Sequence, residues 1–223
     1  MRNVLVTGAS YGLGASIAAA AIAQGDAVYS MSRGAPMADQ IHSWVEVDFA
    51  DIQSIDCAAS RLAEHLSGRL LDGVVLNAAL ADKSTSQWTV AQVERHFRVN
   101  TLAPFTLWSS LEDRGLLADP CNVVLVGSYL QNGNVRQPAY AMSKAALWSW
   151  MRSYTMRQPV HSPVSMNMVW PGRVDTPANP PRALPDGDPN LFYPPSRVAA
   201  VVLNYLAQPP DGPRGTVIDL GRS

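Results

Sequence analysis

The stretch "NVLVTGASYGLGASIAAAAIAQG", residues 3–25, decides the fold. A strand-like apolar run over 3–8 ends at Gly8. Glycines follow at 12 and 14, and a helix-like apolar stretch over 13–25 stops at Gly25. Gly8, Gly12 and Gly14 let the backbone turn tightly and approach a ligand closely. The helix N-terminus then offers unpaired N–H groups to a pyrophosphate. The spacing is G-x-x-x-G-x-G, unlike the G-x-G-x-x-G of many dinucleotide folds. A glycine-rich turn that holds no ligand is the plain alternative.

Outward from this unit the alternation continues. Strand-like runs over 27–32, 43–49, 71–79, 121–128, 164–172 and 215–221 are separated by helix-like stretches over 54–68, 89–113, 139–157 and 195–208. The strands are nearly continuous apolar runs, as expected when both faces of a sheet are covered. The pattern predicts an α/β fold: one doubly wound parallel sheet of about seven strands, helices on both faces, in a single domain over 1–223. The exception is 173–194, whose six prolines predict an irregular loop. A long loop inside a compact domain is commonly a lid or binding loop, and this one is expected to cover the site.

Bulk properties narrow the function. A net charge of −1 gives no reason to expect nucleic acid or an acidic membrane surface. No apolar run reaches the roughly 18 residues that span a bilayer. Nothing like a signal peptide precedes residue 3, so a cytoplasmic location is expected. Cys57 and Cys121 have no metal-like spacing and are expected to be reduced and buried; no metal site is predicted.

Lysine occurs twice in the chain against fifteen arginines. One of the two, Lys144, follows Tyr140 by four residues, which puts both on one helix face. The helix around them is apolar nearly all round, so a lysine there needs a reason. A phenol with a pKa near ~10 is a poor acid or base at neutrality. A neighbouring ammonium favours the phenolate and lowers that value.

"TGASYGLG" (7–14), "LNAA" (76–79), "VNTLAPF" (99–105), "VGS" (126–128), "YAMSK" (140–144) and "WPGRVDT" (170–176) stand in an order and spacing that resemble the short-chain dehydrogenase/reductase family. The resemblance covers essentially the whole chain. It implies a Rossmann fold and four catalytic residues. Tyr140 would be the general acid or base, and Lys144 would lower its pKa and bind the nicotinamide ribose. Ser128 would hydrogen-bond the substrate oxygen, and Asn100 would hold a water for proton relay. It also implies a dinucleotide site. Gly8, Ser10, Tyr11, Gly12, Leu13 and Gly14 would cradle the pyrophosphate. Asp48, with Phe49 beside it, would meet the adenine, and Asn77, Ala78 and Ala79 would back the adenosine ribose. Pro171 and Gly172 would shape the nicotinamide pocket, and Val174 and Thr176 would hold the carboxamide.

After the second strand an acidic residue would select NAD by bonding the ribose 2′-OH. Here Ser32 takes that place and Arg33 follows. A guanidinium pairs with a phosphate, which favours NADP(H) over NAD(H). A solvated surface arginine is the alternative. Three departures stand out: Tyr11 where many NADP-using members carry a basic residue, Ala79 for a glycine, and Arg222 where a second glycine is usual.

The expectation is an NADP(H)-dependent carbonyl reductase or alcohol dehydrogenase acting on a small molecule. The alternatives are a catalytically silent NADP-binding regulator or scaffold, and a non-redox epimerase or dehydratase. Helices 89–113 and 139–157, with Trp148 and Trp150, carry more apolar surface than one sheet covers and predict a homodimer or homotetramer. In the 173–194 loop, Leu184, Phe192 and Tyr193 suggest an apolar substrate, whereas Arg173 and Arg182 suit a carboxylate or phosphate.

Overall fold

The computed structural model describes residues 1–37, 40–82, 89–134, 137–159, 162–177, 179–180 and 192–221. Seven strands form one sheet: β1 (Asn3–Thr7), β2 (Ala27–Ser32), β3 (Ser43–Glu46), β4 (Leu71–Leu76), β5 (Leu117–Val126), β6 (Val164–Trp170) and β9 (Val217–Asp219). Their order is β3-β2-β1-β4-β5-β6-β9, and every pairing is parallel. The chain therefore starts in the middle of the sheet, winds one way to β3, and crosses back to build the other half from β4. A cleft at the carboxyl ends of β1 and β4 follows from that reversal.

Side-chain alternation divides the core. Leu5, Tyr29, Val74, Val123 and Met168 face one side. There they pack under α2 (Ile52–Leu66), α4 (Ala103–Asp113) and α5 (Pro138–Arg157) through Leu62, Leu107 and Leu147. Val4, Val28, Val75, Val124 and Val169 face the other side, under α1 (Gly12–Ala23) and α6 (Pro195–Leu206), meeting Ile17, Ala18 and Val202. These side chains are essentially inaccessible to solvent, and each large one contributes roughly 1.5–3 kcal/mol by leaving water. The doubly wound sheet with helices on both faces is as the sequence predicts.

The long helix predicted over 89–113 is interrupted. α3 (Val90–Phe97) opens with a capping box between Thr89 and Gln92. A π-helical turn over Arg98–Leu102 then leads into α4. Pro104 explains the break: it has no N–H to return to the carbonyl of Asn100, four residues back. The wide turn carries Asn100, and such turns are frequent at functional sites.

The proline-rich segment is not wholly irregular. β7 (Arg173–Val174) pairs in parallel with β8 (Phe192–Tyr193), closing the segment at its base. Phe192 is buried, so it packs inward rather than facing a substrate. Leu184 and Arg182, like Arg222, lie outside the described residues. Of the two cysteines expected to be buried, Cys121 is, in β5, whereas Cys57 is exposed on the outer face of α2; both are free thiols. No helix among the described residues is long and apolar enough to cross a membrane.

Candidate active site

A cleft of about 1160 Å³ lies across the carboxyl ends of the strands. One wall is the glycine-rich turn. Gly8 and Gly12 adopt left-handed backbone, φ 71° and 63°, a conformation that costs glycine little. Gly14 is required by space instead: a Cβ there would stand 2.1 Å from the Gly8 carbonyl oxygen and 2.6 Å from Asn77 Nδ2. The turn is pinned from β4, where Asn77 Nδ2 donates to the Thr7 carbonyl at 2.9 Å. The Thr7 hydroxyl receives the N–H groups of Asn77 and Ala78 at 2.9 and 3.0 Å, and donates to the Val75 carbonyl at 3.2 Å.

The opposite wall is built by β5 and α5. Ser128 follows β5 and caps the short 3₁₀ turn Tyr129–Asn132, its hydroxyl accepting from the Leu130 N–H at 3.2 Å. The same side chain is near enough to the Tyr140 phenol to lower its pKa. Lys144, 1% exposed, lies one helical turn from Tyr140 with its Nζ 5.9 Å from the ring centroid. Tyr140, Lys144 and Ser128 all line the cleft.

The electrostatics differ from the expectation in one respect. Burial pushes the Tyr140 phenol above its ordinary pKa, the Ser128 hydroxyl pulls it down, and neighbouring Tyr129 adds to the rise. The Lys144 ammonium donates to the Val126 carbonyl at 2.8 Å. Burial draws the lysine's own pKa down to about 8.

Asn100 is fixed by its own hydrogen bonds behind the cleft. It is 1% exposed and is absent from the cleft wall. Its Oδ1 accepts from the Leu80 N–H at 2.7 Å, and its Nδ2 donates to the Leu80 carbonyl and to Ser143 Oγ, both at 2.9 Å. The side chain holds the β4 loop against α5.

Every other expected residue lines the cleft: Gly8, Ser10, Tyr11, Gly12, Leu13, Gly14, Arg33, Asp48, Phe49, Asn77, Ala78, Ala79, Pro171, Gly172, Val174 and Thr176. Arg33 sits exposed past the end of β2, in no ion pair among the described residues. Asp48 is exposed and accepts the Ala50 N–H at 3.0 Å. Phe49 contributes to the cleft, but its ring belongs to the hydrophobic core and is 7% exposed. The cradle fits a dinucleotide: backbone is exposed where Gly14 excludes a side chain, a buried ammonium uses one of its three donors, and a guanidinium waits at the rim.

Several contributors went unread in the sequence. Thr7 and Ser143 act through hydrogen bonds between distant segments, and only their places inside "TGASYGLG" and "YAMSK" hint at them. Buried His96 packs edge-on to Tyr140, ring centroids 6.4 Å apart, and bonds the Gln92 carbonyl through Nδ1 at 2.8 Å. Its signal is a histidine one helical turn before Asn100. Tyr129 also lines the cleft.

Comparison with known proteins agrees with this geometry. The family description "short chain dehydrogenase" matches residues 2–184, and the chain belongs to that family, whose oxidoreductases use nicotinamide cofactors. An uncharacterized oxidoreductase, YxnA of Bacillus subtilis (strain 168), is 29% identical over 226 residues, covering 93% of this chain and 63% of the relative. The chain thus spans somewhat less than two thirds of that protein. A benzil reductase ((S)-benzoin forming) from the same organism is 26% identical over 79% of this chain and 76% of its own length. Among solved structures, a short-chain dehydrogenase from Burkholderia cenocepacia J2315 in complex with NADP superposes with a TM-score of 0.81. It is 24% identical and matched over 98% of this chain and 95% of its own, a likeness of fold.

Proposed function

We propose that this protein is an NADP(H)-dependent oxidoreductase that reduces a carbonyl to an alcohol or runs the reverse reaction. The observation that carries the reading is the convergence of Ser128, Tyr140 and Lys144 on one cleft whose far wall is the glycine-rich turn. The bound nicotinamide would supply or accept the hydride. Ser128 holds the substrate oxygen against the phenol. Tyr140, kept protonated by burial, donates its proton to that oxygen during reduction. Lys144 offers its remaining N–H donors to the nicotinamide ribose hydroxyls. Its charge counts toward Tyr140 once the ammonium is drawn toward the cleft. Arg33 meets the 2′-phosphate, and its lack of an acidic partner among the described residues supports NADP over NAD.

The assay is loss of NADPH absorbance with a panel of ketones, aldehydes and quinones. NADPH binding with no turnover across the panel would favour a silent nucleotide-binding protein. We also propose a homo-oligomer through α4 and α5: Leu102, Phe105 and Met142 are about half exposed at 50%, 47% and 47%. A cytoplasmic location accords with the two free thiols.

A further inference from the structure

We infer that the substrate carries a carboxylate, held by Arg173 together with the Tyr129 hydroxyl. The inference rests on the reductase reading above and narrows it to oxo acids or the corresponding hydroxy acids.

The placement comes from the sheet. Tyr129 follows Ser128 at the end of β5, and Arg173 follows Gly172 at the end of the neighbouring β6. The Tyr129 N–H donates to the Pro171 carbonyl at 3.3 Å, locking the two strand ends together. Arg173 Nε donates to the Tyr129 hydroxyl oxygen at 3.4 Å. That contact leaves the phenolic proton of Tyr129 and both terminal guanidinium nitrogens as donors. Both side chains line the same cleft as Tyr140 and Ser128, and both are half-buried.

The charge inventory singles out Arg173. Among the described residues, three arginines line the cleft and Asp48 is its one carboxylate. Arg95 is paired with Asp82 at 3.6 Å. Arg33 and Arg173 are in no ion pair among the described residues. Arg33 lies beyond β2 and Arg173 beyond β6, four strand intervals apart in the sheet, or about 19 Å at ~4.8 Å each. One phosphate cannot engage both. If Arg33 serves the nucleotide, Arg173 serves something else, on the side of Ser128. A half-buried, unpaired guanidinium pays for its desolvation only when an anion is present. One planar fork with one hydroxyl donor suits a carboxylate monoanion, and a phosphate dianion calls for more donors.

The test compares benzoylformate with its methyl ester, the same ketone with and without the charge, and acetoacetate with its methyl ester as a second spacing. Wild type is expected to favour at least one acid over its ester in kcat/KM. Arg173→Met should lower that acid-to-ester ratio by about 10- to 100-fold, the worth of a charged hydrogen bond. Arg173→Lys should restore part of it. Calorimetric binding of the acids to NADP⁺-loaded protein gives a readout independent of turnover. There Arg173→Met should weaken the favoured acid while NADP⁺ affinity stays the same. The proposal is overturned if wild type shows no acid preference and no acid binding. It is equally overturned if the preference survives in Arg173→Met, or if that variant loses NADP⁺ instead. If wild type reduces none of the four compounds and nothing in the ketone, aldehyde and quinone panel, yet binds an acid only with Arg173 present, the reductase reading fails and the anion site stands.

Discussion

Asn100 Nδ2 and Ser143 Oγ are joined at 2.9 Å, and the Ser143 hydroxyl in turn donates to the Tyr140 carbonyl at 2.8 Å. The π-helical turn is thereby tied to the helix that carries Tyr140 and Lys144. Asn100→Ala breaks three buried hydrogen bonds and should cost about 2–3 kcal/mol in urea unfolding. Ser143→Ala should cost less, and the double variant should fall short of the sum by at least ~0.5 kcal/mol. Additive costs would separate the two residues.

Tyr140→Phe should lower turnover by about 10²–10⁴-fold. Its NADPH affinity, followed by fluorescence titration, should stay near wild type. Unchanged turnover would remove Tyr140 as the proton donor.

Arg33→Ala should weaken NADPH binding by roughly 10- to 100-fold, the loss of a charge-assisted contact. NADH affinity in the same titration should hardly move. A parallel loss of both nucleotides would assign Arg33 to the fold rather than to the 2′-phosphate.

Lys144 gives stability a pH dependence. Its folded pKa of about 8 lies below the ordinary lysine value of 10.5, so the unfolded chain binds more protons between those limits. Lys144 should therefore add stability to the cofactor-free protein as pH rises from 8, on the order of 1–2 kcal/mol by pH 9.5, partly offset near the top of that range by the buried Cys121 thiol, pushed up to about 12. Tyr140, shifted upward, opposes this only above its ordinary range near 10. Lys144→Met should flatten the slope in chemical unfolding at pH 7.5 and 9.5 and lose turnover. A slope that survives this substitution would trace the effect to another group.

Gly14→Ala forces a Cβ to within 2.1 Å of the Gly8 oxygen. It should destabilise the protein by about 1–3 kcal/mol and abolish nucleotide binding. Gly25→Ala, where nothing lies within 4 Å of the new atom, should strain only its own left-handed backbone and leave nucleotide affinity intact.

Much of this was legible in the chain. The βα alternation, the glycine turn and the Tyr140–Lys144 spacing are local patterns, and local patterns survive folding. Asn100 was legible as a site residue, but its hydrogen bonds were not, because its partners Leu80 and Ser143 come from other segments. The direction of the Tyr140 shift was misjudged for a similar reason. Spacing places an ammonium near a phenol, yet only the fold reveals the burial that raises the phenol's pKa. Phe192 looked available to a substrate, and the core took it, whereas Phe49 packs its ring in the core and still borders the cleft. The break before Pro104 was written in the sequence, since a proline that deep in a helix leaves one carbonyl unanswered.

That break makes length, more than composition, the guarded property of this helix. Deleting a single residue from Arg98–Leu102 would let an ordinary α-turn form, but it would swing everything upstream about 100° around the axis. Arg95, His96 and Val99 would leave their present neighbours together, as would the loop that Asn100 grips. Natural variants of this chain should tolerate exchanges at its exposed positions and almost never gain or lose a residue here.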